Sequence, residues 1–256
     1  FCTRISNYRV RPLDSVMDEL EAISENNVFI VDDDFLFDRD RLTEFCRLLD
    51  TRGIHKHYIA FGRADFIAEN EDIILMLRDH GFDAFFIGIE SFKKNELDDF
   101  GKKTNVDINL KAVSVLERNG LDCYSGLIVG EDWTRRDFNT LIEHLNSFEH
   151  PLVNIQPITP MPGTPLYDSL KTKPVLPREK YGYWDMAHLA FRPLKMSARA
   201  YYYNILRAYL KTSANSKQRR YIRSKYGRDT YYRVLFGASK IFFQYVSLII
   251  NPHMPR

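Results

Sequence analysis

Met76–Ser91, MLRDHGFDAFFIGIES, joins the end of a helix to a glycine, an apolar run and then polar residues. Gly81 stands where a helix-ending glycine belongs, since glycine alone enters the left-handed conformation there without strain. The run after it is β-branched and aromatic, as suits a strand buried on both faces. The same order recurs in Leu48–Asp65, LLDTRGIHKHYIAFGRAD, and in Leu116–Asp132, LERNGLDCYSGLIVGED. VFIV (28–31) and VNIQ (153–156) bring the expected strands to five.

The intervening helices are amphipathic. Leu13, Val16, Met17, Leu20 and Ile23 form one apolar stripe, and Leu110, Ala112, Val113 and Leu116 another. Strands alternating with helices predict parallel β/α units with right-handed crossovers. A spacing of about 25 to 40 residues per unit is that of a full or partial (β/α) barrel. A doubly wound open sheet is the structural alternative.

Barrels of this kind carry their chemistry at the C-terminal ends of the strands. Those ends read Asp32-Asp33-Asp34, Arg63-Ala64-Asp65, Glu90-Ser91, Gly130-Glu131-Asp132 and PITPMPGTP (157–165). Each alone is an ordinary cap or turn. Five polar exits at one rim favour a ligand site.

With 256 residues, 45% of them hydrophobic, the chain can bury a sizeable core. Cys2, Cys46 and Cys123 are too scattered for a disulfide framework and fit a reducing compartment. The longest uncharged apolar run, Ile241–Ile250, falls short of the roughly 20 residues a bilayer requires. Charge is divided unevenly. Residues 195–256 hold 13 Lys/Arg against one acid, Asp229, whereas 1–194 hold 23 against 33. That step suggests one domain over 1–194 and a basic, mostly helical extension over 195–256.

Several stretches, in this order, carry a resemblance: FIVDDDF (29–35), FGRADF (61–66), FFIGIESF (85–92), GLIVG (126–130) and QPITPMPGTPLYD (156–168). Up to about residue 195 the chain resembles the radical S-adenosylmethionine enzymes, whose first barrel strand leads into CxxxCxΦC, with Φ aromatic. Phe1-Cys2 matches the last two positions. The double Asp after the second barrel strand, GIES and PxPGTPL are similar to the cobalamin-associated group. On that resemblance the expected fold is α/β, a partial (β/α)6 TIM-like barrel lacking its first strand, cut within its cysteine motif. A cobalamin-binding domain is then expected ahead of it.

The resemblance implies a [4Fe-4S] cluster held by three thiolates, with the fourth iron open to S-adenosylmethionine. Reductive cleavage then yields a 5′-deoxyadenosyl radical that methylates, rearranges or oxidises an unactivated carbon. It makes Cys2 a cluster ligand and lays the Phe1 backbone beside the adenine. Asp32, Asp33 and Asp34 would meet the methionyl ammonium, Arg63 its carboxylate, and Glu90 with Ser91 the ribose hydroxyls. Gly126 and Gly130 would admit the adenine, over Ile128 and Val129. Also expected are a flavodoxin- or ferredoxin-type reductant and a small-molecule or lipid substrate; the cysteine usage points to the cytoplasm, and the basic tail to a peripheral place at the inner membrane face.

Cys46 and Cys123 read as buried small hydrophobes. His55 and His57 read as surface, and His188 takes no assigned role. The aromatic, basic tail fits a membrane surface, RNA, or a helical hairpin packed on the barrel. Val234, Ala238, Ile241, Phe242, Tyr245, Leu248 and Ile249 make one apolar face, and of the first two the membrane is favoured because the aromatic run ends in an aliphatic segment and not in rings spaced for stacking. The rival functions are an RNA-modifying, methylthiotransferase-like radical enzyme, a cluster-free acid/base barrel and a non-catalytic scaffold.

Overall fold

The structure is a computed structural model that describes residues 9–99, 104–169, 176, 177, 179–213 and 216–252. Its strands are β1 (Asn27–Ile30), β2 (His57–Gly62), β3 (Phe82–Glu90), β4 (Asp122–Val129) and β5 (Leu152–Pro157). They form one sheet in the order β1-β2-β3-β4-β5. The pairs β1/β2 and β2/β3 are parallel, with Asn27 opposite His57 and Ala60 opposite Phe85. Neighbours in sequence are neighbours in the sheet, as in a barrel wall. A doubly wound sheet reverses its order at a switch point, so that alternative is set aside.

The helices are α1 (Leu13–Ala22), α2 (Arg39–Arg52), α3 (Ala64–Glu69), α4 (Glu71–Asp79), α5 (Lys94–Asp99), α6 (Val106–Arg118) and α7 (Arg135–Ser147). After them come α8 (Pro165–Ser169), α9 (Ala198–Ser213) and α10 (Ser216–Ile250). The described residues fall into two compact units, one of 9–89 and 104–125, the other of 90–99 and 126–252.

In the first unit an aromatic cluster forms the core. Phe82 lies 5.0 Å from Tyr58, 5.6 Å from Phe85 and 6.3 Å from Phe45, centroid to centroid. Helix α2 starts where Asp38 accepts the Arg41 N–H and ends at Gly53 in the left-handed region. Gly81 has φ 95°, and a Cβ there would lie 2.1 Å from the Lys56 carbonyl oxygen, so glycine is required twice over. Burial on both faces is only partly met: the runs after Gly53, Gly81 and Gly120 bury alternate residues and leave most of the others half-buried, and β1, at the end of the row, leaves Phe29 half exposed.

In the second unit α9 packs against α7 and β5, and α10 packs on α9. A capping box starts α7, with Thr134 and Asp137 bonding reciprocally to backbone N–H groups. Trp133, Phe138 and Tyr201 meet edge to face at 5.1 and 5.7 Å. The charge step at residue 195 therefore falls inside a packed unit.

Candidate functional site

In the first unit, Asp32 and Asp33 are exposed in the turn after β1, and Asp34 is half-buried. Arg63 leaves β2 and forms a two-point pair with Asp65, from Nε to Oδ1 at 3.0 Å and from Nη2 to Oδ2. The Asp65 bond, reinforced by the negative charge of Asp34, raises the guanidinium pKa. Burial would lift the Asp65 carboxyl, but Arg63 and the Phe66 N–H hold it below its usual range. The Nη1 edge of Arg63 takes no part in that pair. Carboxylates beside one guanidinium suit a zwitterion, anion to ammonium and fork to carboxylate.

Just before Glu90 in the chain, the buried Asn109 side chain of α6 donates to the Ile89 carbonyl at 2.9 Å. Its own oxygen accepts from Thr104 at 3.0 Å. Asn109 was not foreseen: in the sequence it is one more polar residue next to an apolar stripe.

The second unit begins with a strained residue. Glu90 ends β3 at φ 63°, in the left-handed region that non-glycine residues enter at a cost of about 1–3 kcal/mol. Ser91 is buried. Its hydroxyl donates to Glu96 Oε2 at 2.5 Å and accepts the Lys93 N–H at 3.0 Å. Glu96, also buried, accepts from Trp133 Nε1 at 2.6 Å and pairs with Lys93 Nζ at 3.0 Å. Burial would lower the Lys93 pKa, yet Glu96, Asp132 and Asp137 raise it.

Gly130 lies beneath this network. A Cβ there would come within 2.9 Å of the Trp133 ring and 3.1 Å of Glu96 Oε1. Its lack of a side chain is thus used by the protein's own packing. From α9, the buried Tyr201 hydroxyl reaches the Val129 carbonyl at 2.7 Å and the Gly130 carbonyl at 3.0 Å. Gly126, Ile128 and Gly130 share one face of the strand, and Val129 takes the other. Val129 is fully buried in core, so it does not share a floor with Ile128.

Thus the structure brings Asp34 near Arg63 in one unit, and joins Ser91 to Gly130 through Glu96 and Trp133 in the other. Glu96, Lys93, Trp133 and Tyr201 escaped the sequence reading. An acid buried between a serine and an indole has no spacing signature, and Tyr201 is 71 residues from its acceptor Gly130.

Phe1 and Cys2 lie outside the described residues. Cys46 and Cys123 are buried, as expected, and burial pushes each thiol up to about 12. A ligating thiolate needs the opposite shift. Among the described residues no group of three His, Cys, Asp or Glu could hold a metal, so they do not supply a cluster's ligand set. His188 is pinned by Asp185, whose carboxylate oxygens lie 2.9 and 3.0 Å from Nδ1. His57 pairs with Asp83 at 2.8 Å on the exposed surface.

The profile described as the Radical SAM superfamily matches residues 1–145. Hopanoid C-3 methylase of Methylococcus capsulatus is 26% identical over 196 residues, covering 77% of this chain and 37% of that protein. Anaerobic magnesium-protoporphyrin IX monomethyl ester cyclase of Rubrivivax gelatinosus is 25% identical over 183 residues, covering 69% and 33%. The chain therefore spans only about a third of the length of these relatives. Among solved structures, the apo form of the cobalamin-dependent S-adenosylmethionine radical enzyme OxsB aligns with a TM-score of 0.62. Identity there is 14%, over 94% of this chain and 44% of that one, a likeness of fold that takes in the helical extension.

Proposed function

The chain belongs to the radical S-adenosylmethionine superfamily, and from that premise we propose that it is the barrel portion of an enzyme that modifies an unactivated carbon. The observation that carries this reading is the match over 1–145, the stretch holding β1 to β4 and the polar residues that leave them. The family works with a [4Fe-4S] cluster and S-adenosylmethionine. When bound, the cluster supplies the electron that breaks a carbon–sulfur bond of S-adenosylmethionine.

In this reading Cys2 is a cluster ligand and the Phe1 backbone borders the adenine. Asp32, Asp33 and Asp34 hold the methionyl ammonium. Arg63 takes the methionyl carboxylate on the Nη1 edge that Asp65 leaves open. Glu90 and Ser91 bind the ribose hydroxyls. The strained backbone of Glu90 supports this, since such strain gathers at ligand contacts. Ser91, already bonded to Glu96 and Lys93, would contribute its remaining lone pair. Gly126, Ile128 and Gly130 form the adenine side.

The double Asp, GIES and PxPGTPL motifs support cobalamin as a further cofactor, carried outside these residues. The relatives' names, methylase and cyclase, favour methyl transfer or oxidation of a small molecule or lipid, with a flavodoxin- or ferredoxin-type reductant. Residues 1–194 are then the catalytic part. Residues 195–256 form an extension distinct in charge and motif but joined to it by packing, lying at the inner face of the membrane in the cytoplasm. Described residues from 176 onward include no strand, which weighs against a small β-barrel for RNA.

The test uses the protein that carries this sequence, purified anaerobically. Cys2→Ala should abolish the iron–sulfur absorbance and 5′-deoxyadenosine release, while Cys46→Ala and Cys123→Ala preserve both. Glu90→Gln should weaken S-adenosylmethionine binding by about 1–3 kcal/mol, the range for a lost charged hydrogen bond. A cluster that survives Cys2→Ala overturns the reading. Unchanged affinity in Glu90→Gln removes Glu90 from the site.

A further inference from the structure

Helix α10 bends at Gly227 (φ 81°, ψ 173°) and so runs as two rods. The second, residues 228–250, is about 35 Å long at 1.5 Å per residue. Its end is packed: Tyr245 and Leu248 are buried, and the Tyr245 ring lies 5.9 Å from Tyr209 and 6.3 Å from Tyr202. That contact corrects the face read from sequence, because its Tyr245 and Leu248 positions belong to the protein's own core. From Arg228 to Gln244, by contrast, no residue is buried.

Turning 100° per residue, Tyr232, Phe236, Phe243 and Ile250 fall on one ridge, opposite Tyr245 and Leu248. They are 60, 66, 67 and 68% exposed. Leu235 and Phe242, also exposed, flank them. Asp229, Arg233, Lys240 and Gln244 share a stripe beside the ridge, while Arg228, Thr230 and Ser239 lie outside it. Helices in proteins draw most of their stability from packing an apolar face, and this ridge has nothing of the described residues over it. By length and composition Gln218–Ile250 could cross a membrane, an apolar window that the sequence count missed by stopping at Lys240.

Beside the bend, Arg219, Arg220, Arg223 and Arg228 line an open hollow with Ser224 and Tyr231. The Arg223 guanidinium sits 5.7 Å over the Tyr231 ring. Among the described residues none of these four arginines pairs with a carboxylate. Four like charges gathered without an anion call for a multivalent negative surface.

We propose that α10 docks the protein on an anionic phospholipid bilayer. The ridge Tyr232–Phe236–Phe243–Ile250 enters the acyl boundary, and the arginine hollow takes the lipid phosphates. The rod lies along the interface, not across it: spanning would carry Arg233 and Lys240 into hydrocarbon and strip α9 from Tyr245 and Leu248. This gives a specific surface to the membrane contact proposed for 195–256 and rests on none of the radical chemistry.

Flotation of the full protein with phosphatidylcholine vesicles, with and without phosphatidylglycerol, tests it. Binding should be roughly tenfold tighter to the anionic vesicles, and inorganic phosphate at millimolar concentration should not displace it. Phe236→Ser with Phe243→Ser should weaken binding roughly tenfold at low and high salt alike. Arg219→Gln, Arg220→Gln and Arg223→Gln together should remove the salt-sensitive part. All five positions are exposed, so circular dichroism and Tm should match the parent. Wild-type flotation by the aromatic variant, tighter binding to transfer RNA than to vesicles, a dimer that the aromatic variant dissolves, or resistance to alkaline carbonate extraction would each overturn the proposal. Failure of S-adenosylmethionine cleavage leaves these readouts untouched, so the two readings stand or fall separately.

Discussion

Helices α9 and α10 come from the same basic, aromatic region, yet they meet opposite fates. On α9, Tyr201, Tyr202 and Tyr209 are largely buried, and each hydroxyl has a backbone partner. Tyr202 accepts the Leu189 N–H at 2.8 Å, and Tyr209 bonds both the N–H and the carbonyl of Ile155. On α10, Tyr232, Phe236 and Phe243 face solvent. Composition therefore did not decide burial. A tyrosine ring can enter a core where its hydroxyl finds a partner, and the end of β4, the backbone of Ile155 in β5 and the loop at Leu189 provide such partners. Once α9 covers them, α10 lies on α9 and touches the start of β5 only near its own beginning, through Gln218 and Tyr221, so a second apolar face is left over.

The largest effect should come from Tyr201. Tyr201→Ala removes a fully buried ring and should destabilise the protein by about 3–5 kcal/mol in urea unfolding. Leu248→Ala, at the packed end of α10, should cost about 2–5 kcal/mol. Tyr201→Phe keeps the ring but leaves two carbonyls without its proton, and about 1–3 kcal/mol should be lost. Equal losses for Tyr201→Ala and Tyr201→Phe would show that the hydroxyl, not the ring, anchors α9.

Alkaline pH sharpens the same contrast. Burial pushes the Tyr202 and Tyr209 hydroxyls up to about 12, above the value near 10 of the unfolded chain. The folded state holds these protons more tightly. Their contribution to stability is complete below about pH 10 and is lost as pH rises from there through about 12. Denaturation midpoints followed against phenolate absorbance should show that decline, and a flat profile would mean α9 opens without unfolding. The smallest effect is expected at Phe243, where Ser should change stability by less than about 0.5 kcal/mol because the ring is exposed. A loss comparable to that of Leu248→Ala would mean that the α10 ridge is covered by another copy in solution.

Much of the sheet was legible. Gly53, Gly81 and Gly120 all take positive φ at helix ends, and each is followed by the expected strand. The run VFIV is shifted by one residue, because Val31 leaves the strand for the Asp32–Asp34 turn. The surroundings of the strand ends were less legible. Ser91 could be marked as a strand-exit residue, but not its bond to Glu96. Gly130 could be read as a place where backbone comes close to something, yet Trp133 is what comes close.

By itself the sequence determined the parallel order of strands and helices, the family motifs at the strand exits and the charge step at residue 195. Each of these is local: a glycine's freedom of φ, a period of apolar residues, a count of charges. Tertiary structure alone decided that Glu96 is buried under Trp133, that Tyr201 crosses from the basic extension to the end of β4, and which face of α10 is free. Those outcomes join residues tens of positions apart. They depend on which surface is still uncovered when a helix arrives, and helical periodicity can nominate two faces without choosing between them.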